Sequence, residues 1–262
     1  MENRQCRRTP SYDWRVDPVF FALLPFAFFA VALLYSSVGH AGATGYLALM
    51  ALGGLAPEVM RPTALVLNVA VASIAIVRFA GANQFPWRTL PYFLIGSIPA
   101  AYLAGSIKIP EEVYRPLLAM VLIAAGLRLA ARARSDTFEL GAIPPRGFVL
   151  ALIGGVIGLL AGATGTGGGV FLTPLVIARR WTSTRAAAGL SAGFILANSI
   201  AGLAARPASL DLLPATLPLG LATAAVGGLI GSELGARRVS LVTLRRILAA
   251  VMVIAATRLV VG

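Results

Sequence analysis

Two glycine-rich stretches hold the residues of this 262-residue chain that are best suited to bind a ligand. The stretch "AGATGTGGGVFLTP", Ala161–Pro174, has five glycines among its first nine residues, and "GHAGATGYLALM", Gly39–Met50, is a shorter echo of it. Glycine lets the backbone approach a ligand closely, and the first N–H groups of a following helix lack an intrahelical partner. Such helix ends carry a partial positive charge and receive oxyanions. Together the two stretches predict a small cradle for an anion, with close helix packing as the alternative reading of the glycines.

Polar side chains in and near these stretches complete the predicted site. Thr164 and Thr166 are expected to cap a helix or to donate their hydroxyls. Asn68, Ser191 and Asn198 lie inside apolar segments, where they bind substrate or link helices. The predicted substrate-binding residues are Gly39, His40, Gly42, Thr44, Gly45, Tyr46, Asn68, Thr164, Gly165, Thr166, Gly167, Gly168, Gly169, Ser191 and Asn198.

His40 is the only histidine of the chain, and it lies in the first glycine-rich stretch. Because imidazole changes charge near neutral pH, His40 is predicted to carry a coupling proton or to add positive charge beside an anion. The alternative is a neutral imidazole that caps a helix end.

The acidic residues argue against a cation site. All ten lie in loops or near the ends of apolar runs: Glu2, Asp13, Asp17, Glu58, Glu111, Glu112, Asp136, Glu139, Asp211 and Glu233. Sodium or divalent-metal carriers need buried carboxylates, so neither a metal site nor a cofactor is predicted.

Enzymatic readings of the sequence are weak. "GLSAG", Gly189–Gly193, has the G-x-S-x-G form and with His40 suggests an intramembrane Ser/His hydrolase, but it lies inside an apolar helical pattern instead of a strand-to-helix elbow. A phosphate-binding loop of the form G-x-x-x-x-G-K-[ST] is absent from the sequence. The chain is therefore predicted not to be an enzyme.

The elements that must position these residues are membrane helices. The chain is 58% hydrophobic and 12% charged, against roughly 25% charged residues in soluble proteins. Its mean hydropathy is +0.85. Two apolar pieces, 46–56 and 169–178, are too short to cross alone and are predicted to be half-helices. Runs near the length needed to cross lie at 19–38, 62–80, 89–106, 113–131, 147–163, 186–204, 211–232 and 244–261; a signal peptide is the alternative for the first.

The net charge of +12 has a membrane explanation and does not predict nucleic-acid binding. Thirteen arginines lie in the connections near 78–88, 128–147, 179–185 and 233–246. Because basic loops stay in the cytoplasm, these connections are predicted to face it and the N-terminal leader to face outward.

The chain is predicted to be a duplication. "AGATG" occurs at Ala41–Gly45 and Ala161–Gly165, and an offset of 124 pairs Gly45 with Gly169, Arg61 with Arg185 and Gly96 with Gly220. Arg61 and Arg185 are read as interfacial anchors. The predicted units are a polar leader (1–18), a first transmembrane repeat (19–131), a basic connecting loop (132–146) and a second repeat (147–262). Each repeat has a broken first helix or re-entrant hairpin plus three long helices, giving about 8–10 membrane segments and, with an odd number of crossings per half, inverted topology.

The sequence resembles the TauE/SafE sulfite exporters, or toluene sulfonate uptake permeases, from about residue 20 to 261. The likeness is clearest in "GLLAGATGTGGGVFLTPLV", Gly158–Val176, whereas the first half reads "SSVGHAGATGYLAL" and departs from the G-x-G-G-G form. The resemblance implies a multi-pass secondary carrier of the bacterial inner membrane for sulfite or organosulfonates. Export is expected, and proton-coupled uptake of an organosulfonate or another oxyanion is the alternative. The expected partners are the anionic substrate and the bilayer, with a homodimer left open.

Overall fold

The computed structural model describes residues 18–37, 39–131, 147–236, 250, 253–257 and 259. Every regular element in these ranges is helical, which confirms the all-α prediction. The first half contains α1 (Pro18–Ser36), α2 (Ala43–Leu52), α3 (Pro57–Gly81), α4 (Leu90–Ser106) and α5 (Glu111–Ala131). The second contains α6 (Gly147–Thr164), α7 (Gly169–Ala178), α8 (Thr184–Ala204), a 3-10 helix (Pro207–Leu212) and α9 (Leu217–Ala236). The leader to residue 17, the connecting loop 132–146 and most of the predicted span 244–261 lie outside the described residues.

The helices form a bundle with an apolar exterior. Within the described ranges, four stretches are long and apolar enough to cross a membrane: Pro57–Gly81, Gly147–Thr164, Arg185–Ala204 and Leu217–Leu234. On α6 the side chains of Phe148, Leu152, Val156 and Leu159 are exposed, about one per turn. An apolar stripe of this kind faces lipid in a membrane protein.

The first two helices form an antiparallel hairpin. The rings of Phe28 and Tyr46 make an edge-to-face contact with centroids 5.2 Å apart. A Cβ on Gly53, directly after α2, would lie 2.3 Å from the Phe20 ring near the start of α1. This packing fits both arrangements left open from the sequence, a second crossing and a re-entrant hairpin.

The two halves pack on each other in a symmetric pattern. Helix α4 packs parallel to α6, since Gly154, Gly158 and Gly162 face the backbone of Phe93, Ser97 and Ala101 in turn. Helix α1 packs in the same parallel way on α9, where Gly227 and Gly231 face Phe29 and Leu33. The equivalent helices α3 and α8 run antiparallel through the centre of the bundle. An inverted duplication requires this arrangement, although the duplication itself stays a prediction.

One face of the bundle holds the α3–α4 connection, the start of α8 and the end of α9. Gly189, early in α8, lies against the carbonyl oxygen of Gln84 in the α3–α4 connection. Arg78 at the end of α3 lies 3.7 Å from Glu233 at the end of α9. We call this the arginine-rich face; the positive-inside rule predicts that it faces the cytoplasm.

Candidate functional site

Both glycine-rich stretches interrupt helices. We call residues 37–42, between α1 and α2, the first break and residues 165–168, between α6 and α7, the second break. Backbone φ is positive at Gly39 (79°), Gly42 (99°), Gly165 (79°), Gly167 (71°) and Gly168 (82°). Only glycine adopts these conformations readily, so the glycines are required by the turns themselves.

The breaks present backbone N–H groups that have no hydrogen-bond partner among the described residues. These are the amides of Ala41–Gly45 and Thr166–Val170. All ten residues are buried except half-buried Val170. Gly42 and Gly168 precede the two short helices, and neither helix has a side-chain cap. Because a buried amide without a partner is costly, two such rows are suited to receive the oxygens of an anion.

Of the two roles expected for the threonines, capping a helix or donating a hydroxyl, neither threonine caps α7. The Thr164 hydroxyl donates to the carbonyl oxygen of Leu160, 2.7 Å away in its own helix. It also lies 2.9 Å from the Thr166 hydroxyl. Gly168 occupies the cap position of α7, so the threonine hydroxyls leave the amides of the second break open.

His40 joins the two breaks. Its Nε2 lies 3.1 Å from the carbonyl oxygen of Gly169, the first residue of α7. The same atom is 3.2 Å from the Thr173 hydroxyl, which is in turn hydrogen-bonded to Ser191 of α8. Since a carbonyl oxygen only accepts, Nε2 carries the proton when it bonds to Gly169. The imidazole is buried and physically links the first break to α7 and α8.

The second break lies against the crossing of α3 and α8. The amide Nδ2 of Asn68 donates to the Ser199 hydroxyl over 3.3 Å. A Cβ on Gly167 would lie 3.0 Å from that nitrogen and 3.1 Å from that hydroxyl oxygen. Asn68 and Ser199 are therefore immediate neighbours of the break.

The remaining predicted residues have other surroundings. Thr44 shares a 2.8 Å hydrogen bond with the Tyr35 hydroxyl, which ties α2 to α1. The buried Tyr46 hydroxyl has no partner within the described ranges and lies 2.9 Å from the site of a Cβ on Gly42. Asn198 donates to the carbonyl oxygen of Phe194 over 3.0 Å, one turn back in its own helix. Ser191 lies inside α8, so "GLSAG" is helical and forms no strand-to-helix elbow.

Two side chains that the sequence did not place at the site hold the end of α6. Arg61 Nη2 donates to the carbonyl oxygen of Gly162 over 2.8 Å, and the Tyr114 hydroxyl donates to that of Thr164 over 3.1 Å. A cationic donor suits the negative end of a helix. Thr173, which contacts His40, could have been identified from the sequence as a site residue, because it lies one turn after Gly169 on the same face of α7.

The proposed pairing of Arg61 with Arg185 does not hold in space. Gly165 of the second break lies against Arg61, with Cα and Cβ both 3.3 Å from its Cβ position. Gly39, at the same place in the first break, lies against Ala188. Ala188 therefore corresponds to Arg61, and only the second break has an arginine at this position.

Comparisons with known proteins place this arrangement in a class. The sulfite exporter TauE/SafE family matches residues 24–259. A probable membrane transporter protein, y4hK, of Sinorhizobium fredii (strain NBRC 101917 / NGR234) is 39% identical over 238 residues, which cover 90% of this chain and 96% of that protein. No solved structure shows a significant match.

The apolar bundle, its interrupted helices and these matches define a multi-pass membrane transporter of the bacterial inner membrane. The chain belongs to the TauE/SafE sulfite exporter family.

Proposed function

We propose that this protein is a secondary transporter that exports a small sulfur-containing anion, sulfite or an organosulfonate, by alternating access. The observation that carries the proposal is the pair of buried breaks, joined by His40, whose amides have no partner within the described chain. Rows of open amides at two helix starts favour an anion over a cation. The chain belongs to a family of sulfite exporters, and this membership favours a sulfur-containing anion.

Export follows from the membrane potential. An inside-negative potential drives a monovalent anion outward by about 2.3 kcal/mol per charge per 100 mV. A carrier with two inverted repeats exposes a site at their junction to each side in turn. The anion therefore leaves the cell without a nucleotide or a coupling ion.

Counterflow in proteoliposomes tests the proposal. Vesicles loaded with unlabelled sulfite are expected to accumulate radiolabelled sulfite transiently, whereas empty vesicles with the same protein are not. Conversion of sulfite to another compound without counterflow would identify an enzyme and overturn the transport assignment.

Proton-coupled uptake is the second candidate, and the buried contact of His40 with Gly169 and Thr173 favours it. Protonation of the imidazole adds a positive charge beside the amide rows, so anion binding is expected to strengthen as pH falls from about 8 to about 5. The variant His40→Gln is expected to lose this dependence.

The pH profile must use an organosulfonate, because its charge is constant over this range while sulfite itself titrates. Thr173→Val is the matched control, since it removes a partner of His40 but keeps the imidazole. A pH profile unchanged in His40→Gln would assign this histidine a structural role and remove the basis for proton coupling.

A further inference from the structure

The guanidinium of Arg61 has no carboxylate within ion-pair distance among the described residues. Arg61 is half-buried, and its long side chain packs with the guanidinium carbon 5.6 Å from the centre of the Tyr114 ring. Arg206 and Glu58 are close enough to interact electrostatically with this guanidinium. Only Nη2 has a described hydrogen bond, to Gly162, which leaves the donors on Nε and Nη1 open.

A cavity of about 310 Å³ is lined in part by Tyr114, whose ring the guanidinium contacts, although Arg61 itself does not line it. Its lining includes Leu55, Pro57, Met60, Glu111, Tyr114 and Arg115. Tyr114 forms part of the cavity wall and bonds to Thr164 at the edge of the second break, so it separates the cavity from that break.

The cavity opens on the face opposite the arginine-rich face. Its lining comes from the α2–α3 connection and from the start of α5. These segments lie at the other end of α3 from Arg78 and the α3–α4 connection. The cavity therefore lies between the predicted outer surface and Tyr114, which closes it off from the second break.

We propose that Arg61 binds the transported anion at the second break, that the cavity behind Tyr114 is its outer vestibule, and that this binding site has no counterpart in the first half. A membrane-embedded charge that lacks a protein counter-ion marks a ligand path. The open guanidinium donors form a fork that grips two oxygens of an oxyanion. Ala188 stands where a second arginine would, so the first break has no fixed positive charge of this kind.

The inference rests on the proposed anion transport, and three variants test it. Arg61→Gln removes the charge, and Arg61→Lys keeps it without the fork. Arg185→Gln makes the same change in net charge at the start of α8, away from the break.

Two quantities are measured for each variant. The first is the sulfite concentration that half-saturates counterflow, and the second is the stabilisation of the detergent-solubilised protein by sulfite. Arg61→Gln is expected to raise half-saturation by about tenfold or more, because it removes a charge-assisted pair. A several-fold rise is expected for Arg61→Lys, and Arg185→Gln is expected to stay within about twofold of wild type. Stabilisation by sulfite is expected to weaken in parallel with affinity.

A structural cap would behave differently. If Arg61→Gln or Arg61→Lys lowers the unfolding temperature but keeps wild-type half-saturation, the binding role is overturned while anion transport stands. If Arg61→Gln does not fold, a wild-type affinity for sulfite in Arg61→Lys is enough to overturn the binding role of Arg61. Absence of sulfite counterflow and of stabilisation in the wild-type protein would instead overturn the proposed function.

Discussion

Valine in place of Gly167 is expected to lower sulfite counterflow by about tenfold or more, since each hydrogen bond to a charged group contributes about 1.5–3 kcal/mol. Gly167 has φ of 71°, which a β-branched residue avoids. Its Cβ would lie 2.9 Å from Ile195 and 3.0 Å from Asn68, so the amide row of the second break must shift. The measurement is counterflow at sub-saturating sulfite, normalised to folded protein in the vesicles.

Gly54→Val is the matched control for backbone strain. Gly54 has φ of 75°, close to that of Gly167, but a Cβ there has no neighbour within 4 Å among the described residues. The two variants share the strain of a positive φ and differ in crowding at the break, although Gly54 lines the cavity proposed as the vestibule. Wild-type flux in Gly167→Val would contradict the role of Gly167 in receiving the anion.

The breaks were predictable because glycine density is a local property of the sequence. Positive φ at Gly165, Gly167 and Gly168 follows from the freedom of glycine, and helices on both sides follow from apolar runs. A polar contact of Asn68 was expected, since a buried amide in an apolar helix needs a polar neighbour, but its place beside the second break was not.

The alignment of the halves was not predictable from the repeated pentapeptide. In the first half "AGATG" spans the cap of α2 and its first turn, with Gly42 as the cap. In the second half the same letters end α6, and Gly168 is the cap of α7. The same pentapeptide therefore lies at the start of a helix in one half and at the end of a helix in the other. Helix ends depend on contacts with neighbouring elements as well as on local composition.

Those neighbouring contacts also explain the missed residues. Arg61 bonds to Gly162, which is 101 residues away in sequence, and no local pattern reports such a contact. Because Arg61 lies beside the second break only, the two breaks differ in the charged groups that they offer to an anion. His40 lies in the first break and Arg61 beside the second, so one supplies a titratable group and the other a fixed charge.

Alanine in place of Gly96 is expected to cause the largest loss of stability. A Cβ there would lie 1.9 Å from the carbonyl oxygen of Ala151, and backbone atoms cannot move aside as a side-chain tip can. Separating α4 from α6 costs about 1–3 kcal/mol or more, as for other overpacked sites. Gly231→Ala is expected to act similarly on α1 and α9, because its Cβ would lie 2.1 Å from the carbonyl oxygen of Leu33.

Gly155→Ala is the control for both stability variants, and its effect is expected to have the opposite sign. Gly155 lies in the same α4–α6 contact, yet its Cβ would be 3.7 Å from the carbonyl oxygen of Gly96, an ordinary contact. Replacing glycine by alanine inside a helix is worth up to about 1 kcal/mol, so this variant is expected to match or exceed wild-type stability. Thermal unfolding in detergent measures all three. The expected losses of stability follow from close backbone contact between the paired helices. Wild-type unfolding temperatures for Gly96→Ala and Gly231→Ala would contradict this explanation.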